Sequence, residues 1–283
     1  MILSIAIPAS LVSDTPHLRE KTFKIGLIGR AAAIFRVNEI IVYPDMPKID
    51  QARDIDFITK ILNYMETPQY LRKRLFTFEK NLSYVGILPP LRTPHHLTKN
   101  KSSDIKLGSY RDGVIIESDA KGSTADVGVE KPALIDEPNI AVGKRVTVKI
   151  IKTGDVVQAS LAKNEEIQIY WGFNVNASKL PLGQLVKDKG FNLVIATSRY
   201  GVPLNVVSSE INKRWKAAES ALIAFGSPTQ GLKEILLHER FKLEEIANFT
   251  VNTIPTQGTE TVRTEEALYI SLSALMTILQ QPF

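Results

Sequence analysis

The sequence contains no cysteine. That excludes disulfides, thiolate nucleophiles, Cys-ligated zinc and iron–sulfur clusters together. It also fits a cytosolic compartment. Four histidines leave little from which to build a His-rich metal site. No apolar run approaches the roughly 20 residues of a membrane span, so no membrane is expected. Residues 1–9 are apolar but lack a basic n-region, and they read as a first buried strand rather than a signal peptide. The usual phosphate cradles, G-x-G-x-x-G and G-x-x-x-x-G-K-[ST], are missing, which disfavours dinucleotides and nucleoside triphosphates. There is no G-x-S-x-G elbow, and no Ser-His-Asp arrangement suggests itself.

What is present suits a globular chain of one large or two smaller domains, with 44% hydrophobic and 23% charged residues. The net charge of +5 is compatible with a polyanionic partner such as RNA.

Apolar runs at 3–8, 39–43, 167–171, 191–197, 221–225 and near 249–252 predict strands. Helical stretches lie between them. Thr15-Pro16 offers a cap and a first-turn proline for a helix reaching Phe35, with Leu18, Thr22, Ile25, Gly26, Gly29 and Ala32 on one face. Further helices are expected over 50–65, 68–78, 180–189, 209–218 and 232–240. A last helix carries Leu268, Leu272, Leu275, Met276 and Leu279 as a core face. Strands alternating with helices predict an α/β fold with a parallel sheet covered on both faces. Between residues 110 and 162 the texture changes to short β-type runs separated by Gly, Pro, Asp and Lys turns, as in a small all-β barrel. Pro89, Pro90, Pro94 and the polar run 98–104 mark its edge. The expected organisation is therefore a discontinuous domain, 1–90 with 166–283, carrying an insertion at 91–165.

Two loops stand out. Gly226-Ser-Pro-Thr-Gln-Gly231 and Asn252-Thr-Ile-Pro-Thr-Gln-Gly258 both contain Pro-Thr-Gln-Gly, and both follow an apolar strand. Ligands of parallel sheets bind beyond the carboxyl ends of the strands. Such loops expose backbone groups that no strand or helix uses. An uncharged, backbone-rich pocket is expected, suited to a ligand with an adenine and an amino-acid moiety and no phosphates. At the start of the last helix Thr264 can cap, and Glu265 and Glu266 suit the positive end of the helix dipole.

Three pieces in order resemble the SPOUT class of RNA methyltransferases, whose C-terminal half forms a deep trefoil knot. They are Gly26-Leu-Ile-Gly-Arg30-Ala-Ala-Ala-Ile-Phe35, Ala224-Phe-Gly-Ser-Pro-Thr-Gln-Gly-Leu232, and Asn252-Thr-Ile-Pro-Thr-Gln-Gly258 with Thr264-Glu-Glu-Ala267 and Ser271-Leu-Ser-Ala274. Within the class, Pro94-His-His-Leu97, Tyr170-Trp-Gly172 and Arg263-Thr-Glu-Glu266 are similar to the archaeal–eukaryotic RNA uridine N3-methyltransferase group, which carries an OB-like insertion at this place. The resemblance covers nearly the whole chain.

It implies a SPOUT α/β knot with an inserted OB-like barrel, and S-adenosylmethionine (SAM) held by Thr197, Gly201, Gly226, Ser227, Thr229, Gly231, Asn252, Ile254, Gly258 and Thr264. The reaction would be direct methyl transfer without metal to uridine N3 of ribosomal RNA. The alternatives are pseudouridine N1, a ribose 2′-hydroxyl, or a non-catalytic protein that binds RNA or another protein. Arg30 and Arg263 are the candidate cations and Glu265 the candidate proton acceptor; their bland readings are a surface arginine, a helix-start ion pair and a helix-start acid. Arg30 would act across a homodimer. RNA contacts would fall on Arg72, Lys73, Arg74, His95, Lys144, Arg145 and Lys149, with little base stacking because the barrel's main aromatic is Tyr110. Each basic cluster alone could be a solvated face.

Overall fold

A computed structural model describes residues 1–279. The chain opens with β1 (Ile2–Pro8), α1 (Leu18–Ile34), β2 (Glu39–Tyr43), α2 (Ala52–Glu66) and α3 (Gln69–Leu75). Five strands follow, β3 (Tyr110–Asp119), β4 (Gly122–Asp126), β5 (Ala133–Ile135), β6 (Arg145–Lys152) and β7 (Val157–Leu161). Then come β8 (Asn174–Ala177), α4 (Leu182–Lys189), β9 (Leu193–Pro203), α5 (Leu204–Ala217), β10 (Ser220–Ala224), α6 (Leu232–His238), α7 (Leu243–Ile246), β11 (Phe249–Asn252) and α8 (Thr264–Ile278).

The contacts divide the chain into two units. The first comprises residues 1–63, 81–89 and 173 onward; the second comprises 64–80 and 90–172. The basic helix α3 therefore groups with the barrel strands.

In the first unit six strands form one sheet in the order β11-β9-β10-β1-β2-β8, with every neighbouring pair parallel. The central strands are buried on both faces, as parallel strands covered by helices are; Ile5, Ile7, Ile40, Ile41, Leu222 and Ile223 are fully buried. Buried Tyr43 donates its hydroxyl to the Phe225 carbonyl at 2.7 Å, which ties the carboxyl ends of β2 and β10. Helix α1 is small on one side for packing reasons: a Cβ on Gly26 would lie 2.8 Å from Leu88 Cδ2.

In the second unit β3-β4-β5-β7-β6 close into a barrel, antiparallel except for the β5–β7 pair. Alternate side chains fill it, as the two-residue strand period requires. On β6, Val146, Val148 and Ile150 point inward, while Arg145, Thr147 and Lys149 alternate with them.

Several boundaries differ from those the sequence predicts. Helix α1 starts at Leu18, because the Thr15 hydroxyl is bonded to Asp14 and His17 takes the N-cap. Helix α5 begins directly after Pro203, ahead of the expected 209. The barrel contains β5, which is too short to show a pattern of its own. Residues 167–171 are not a strand. Trp171 donates its indole N–H to Asp112 at 3.0 Å, and Gly172 turns the chain at φ +90°; the strand forms later, at β8. A Cβ on Gly172 would lie 2.6 Å from both Glu66 Oε1 and His95 Cε1, so a side chain is excluded there. Among the described residues no helix is long and apolar enough to cross a membrane.

Candidate active site

The carboxyl ends of β9, β10 and β11 open into a cavity of about 570 Å³. Its shape originates in one irregularity. Thr250 pairs with Ala196, but the next residue, Val251, pairs with Val202. Residues 197–201 are therefore extruded from the sheet over the cavity, as bulges beside functional sites do. Gly201 permits it: a Cβ there would lie 2.6 Å from the Val251 carbonyl carbon and 2.8 Å from that of Thr250.

The walls are braced by the polar side chains expected to touch a ligand. Thr197 donates to the Ala224 carbonyl at 2.9 Å. Thr264 donates to the Gly226 carbonyl at 3.1 Å, fastening α8 to the 226–231 loop. Ser227 accepts from the Gln230 N–H at 2.9 Å, closing that loop on itself. Asn252 accepts from the Ile254 N–H and donates to the Arg199 carbonyl, both at 2.9 Å, which joins the 252–263 loop to the bulge. These side chains set the loops whose residues line the cavity. Thr197, Gly201, Gly226, Ser227, Thr229, Gly231, Asn252, Ile254 and Thr264 all line it. Gly258 does not; it stands in open space.

The sequence predicts an uncharged lining, and the structure corrects this. Arg199, Lys233, Glu234, Glu244 and Glu260 join it, because the bulge and the starts of α6 and α7 face the same space. No spacing in the sequence reveals that juxtaposition. The visible trace is Ser198-Arg-Tyr-Gly201, a polar interruption of an otherwise strand-forming run.

The three residues expected at the chemistry are not among those lining the cavity. Thr264 is the first residue of α8 and not its cap; Arg263 holds that position, with its main-chain N–H bonded to Glu266 Oε2 at 3.0 Å. Glu266 is thus a helix-start acid, and the Arg263 side chain is exposed. Arg30 lies on α1 near Tyr269 of α8, where its charge opposes the upward shift that burial imposes on the phenol. Glu265 is buried, with Oε2 lacking a hydrogen-bond partner and 3.6 Å from Lys24 Nζ. Lys24 itself is paired with Asp14 at 2.8 Å. Burial raises the Glu265 pKa above its ordinary value, against its own backbone N–H and Lys24. A raised carboxyl pKa makes folding more favourable when the group is protonated, and that contribution fades as pH rises through the folded pKa. Glu265→Gln removes the cost. Its melting temperature should therefore exceed the parent's by an amount that grows from pH 4 to pH 7. Thermal denaturation across that range checks the sign, and a gap that narrows with pH would refute it.

In the barrel unit the expected RNA contacts separate into two groups. His95 is fully buried and cannot reach an RNA: its Nε2–H lies 2.9 Å from the Glu66 carbonyl and 3.1 Å from Glu66 Oε1. His96 donates to the same carbonyl at 2.7 Å; burial and its neighbour His95 lower its pKa to about 4, so the ring is neutral at pH 7. Arg145 bridges two carboxylates, reaching Glu66 at 2.6 Å and Asp112 at 2.5 Å. Arg72 donates to the carbonyls of Thr67 and Met65 at 2.9 and 3.1 Å and covers the Tyr64 ring. Arg74 is paired with Asp126. Lys73 and Lys144 are exposed, and Lys149 stands 5.8 Å from the Tyr110 ring centre.

A parallel α/β sheet with a polar cavity beyond its strand ends, in a chain that also carries a small barrel, has the architecture in which ligand sites form at the carboxyl ends of the strands. The chain belongs to the RNA methyltransferase family whose profile, described as "Putative RNA methyltransferase", matches residues 2–275. It is similar to an uncharacterized protein of Haloarcula marismortui, at 34% identity, with 97% of this chain and 99% of the other aligned. It is similar also to the 28S rRNA (uridine-N(3))-methyltransferase of Drosophila melanogaster, at 34% identity over 98% of this chain and 62% of that protein. The human protein of the same name is 31% identical over 96% of this chain and 77% of its own length.

Proposed function

We propose that this protein transfers a methyl group from SAM to N3 of a uridine in ribosomal RNA. The observation that carries the reading is the cavity: three loops, at the ends of three adjacent strands, line one space of about 570 Å³. That volume lies within the usual range for a cofactor-sized ligand. The donor set fits SAM. Backbone groups suit adenine edges, while Glu234, Glu244 and Glu260 suit an ammonium, ribose hydroxyls and a sulfonium cation. The relatives from fly and human support the uridine N3 assignment through the activity in their names.

Bound there, SAM supplies an electrophilic methyl group. The protein's part is orientation, because the attacking nitrogen must lie in line behind the methyl–sulfur bond. The braces from Thr197, Thr264 and Asn252 hold the loops for that purpose. The overall change is uridine plus sulfonium to N3-methyluridine, a neutral thioether and a proton released to solvent.

The division of labour follows the two units: methyl transfer in the sheet unit, RNA capture in the barrel unit. The barrel's strand order, with its single parallel pair, supports an OB-type reading, in which Lys73, Lys144 and Lys149 meet phosphates. We also propose that the 252–263 loop and α8 form the closing turn of a trefoil knot. In that arrangement a homodimer would bring Arg30 to the partner's cavity, and Arg263, one residue before Thr264, would meet the RNA backbone.

Calorimetry with SAM and nucleoside mass mapping of ribosomal RNA from a deletion strain test this. Micromolar binding and loss of N3-methyluridine are expected. Absence of binding would leave a non-catalytic binding protein. Binding with N3-methyluridine retained, but a pseudouridine N1 or ribose 2′-O mark lost, would reassign the target atom.

A further inference from the structure

Tyr200 and Arg199 sit on the extruded segment at the cavity mouth, and neither is used by the core. Tyr200 is 79% exposed, so its ring gains almost nothing from burial. It is nevertheless held in place. The Arg199 guanidinium lies 4.6 Å from the ring centre and donates to its hydroxyl. Arg199 is fixed in turn: its Nη1 donates to the Glu260 carbonyl at 2.7 Å, and its own carbonyl accepts from Asn252 at 2.9 Å. The sheet has given up its register to place this pair over the cavity. An ordered aromatic face and a cation beside it, open to solvent at the rim of a methyl-donor site, match the needs of an incoming pyrimidine.

We propose that Tyr200 is the stacking platform for the target uracil and that Arg199 is a catalytic cation for the anion formed at its N3. This rests on the methyltransferase reading above. In neutral uracil the N3 electron pair is conjugated with the two carbonyls, and N3 attacks well only after its proton leaves. The proton passes to solvent at the open mouth. The negative charge then spreads over N3, O2 and O4, where a guanidinium donating to either oxygen stabilises it. N3 forms the bond to the methyl carbon as the carbon–sulfur bond breaks, and the electron pair of that bond stays on sulfur.

The test uses the full chain, SAM, and ribosomal RNA purified from a deletion strain. Tyr200→Ala should raise the KM for RNA about tenfold or more, while Tyr200→Phe, which keeps the ring but loses the hydroxyl that accepts from Arg199, should raise it by a smaller factor. Arg199→Gln should lower kcat about a hundredfold. It should also move the rising limb of the kcat–pH profile to higher pH, because the N3 proton becomes harder to remove; Arg199→Lys should recover part of both effects. All four variants should bind SAM like the parent by calorimetry. Parental kcat and KM in Tyr200→Ala and Arg199→Gln would overturn the inference. So would lost SAM binding in Arg199→Gln, which would make Arg199 a brace of the cofactor loop through Glu260. A parent protein that neither binds SAM nor methylates this RNA fails earlier, at the proposed function, and takes this inference with it.

Discussion

Gly201→Ala is expected to abolish measurable SAM binding and to destabilise the protein by about 3 kcal/mol, at the upper end of overpacking costs. The added methyl would lie 2.6 Å from the Val251 carbonyl carbon and 2.8 Å from the Thr250 carbonyl carbon and oxygen. Those are backbone atoms of a paired strand, and they cannot rotate aside as a side chain can. Relief requires β11 to part from β9 where the register jumps, and the bulge that roofs the cavity moves with it. Two other loop glycines serve as internal controls. At Gly231 the new atom meets the end of the Glu234 side chain at 2.7 Å, which can swing away at little cost. At Gly258 it meets nothing within 4 Å. Both should stay within about 0.5 kcal/mol of the parent, as surface substitutions do. Urea unfolding with SAM titration ranks the three, and equal losses at all three would refute the close-approach argument.

Arg145→Met should destabilise the barrel unit by about 3 kcal/mol while changing RNA affinity little beyond what unfolding removes. Removing one partner of a buried charge cluster leaves the others uncompensated, and that is costly even where the intact pair is worth little. Here two carboxylates would be left. Glu66 is 7% exposed and Asp112 fully buried. Asp112 would keep the Thr147 hydroxyl at 2.8 Å and the Trp171 indole at 3.0 Å, which limits the loss. The pH dependence gives a second readout. Burial opposes ionisation of Glu66, but the hydrogen bond from His95 and the charge of Arg145 outweigh it and hold its pKa below the ordinary value. A depressed carboxyl pKa contributes stability above the unfolded pKa that is lost as pH falls through the folded pKa. The gap between parent and Arg145→Met should therefore shrink on acidification below about pH 4. A constant gap from pH 7 to pH 3, or parental stability with weakened RNA binding, would return Arg145 to the role of an RNA contact.

Most of the parallel sheet was legible because β1, β2, β9 and β10 carry apolar runs separated by helical spacings, whereas the polar strand β8, Asn174–Ala177, was not and 167–171 was expected in its place. The barrel was legible as a class, from short runs and turns, but not β5, whose three residues carry no period. The two Pro-Thr-Gln-Gly loops were legible because unpaired backbone needs glycine, proline and small polar residues wherever it occurs. The basic residues were the least legible. Lys73 and Arg145 are equally basic in the sequence, yet one faces solvent and the other spans two carboxylates. The same holds for His95, which is indistinguishable in the sequence from an RNA-facing histidine until Glu66 is seen beside it.

By itself the sequence determined the covalent chemistry this protein lacks, the alternation that makes an α/β sheet, and the polar loops that follow its strands. Those properties are local: each depends on a residue and a few neighbours along the chain. The tertiary structure alone decided that residues 197–201 leave the sheet, that Arg199 and Tyr200 stand at the cavity mouth, and that Arg145 belongs to a buried ion cluster. Each of these depends on a partner dozens of residues away, Val251 for the bulge, Glu260 for Arg199 and Glu66 for Arg145. Charge and type are inherited from the sequence, but whether a cation meets a carboxylate or a substrate is settled only when distant segments pack.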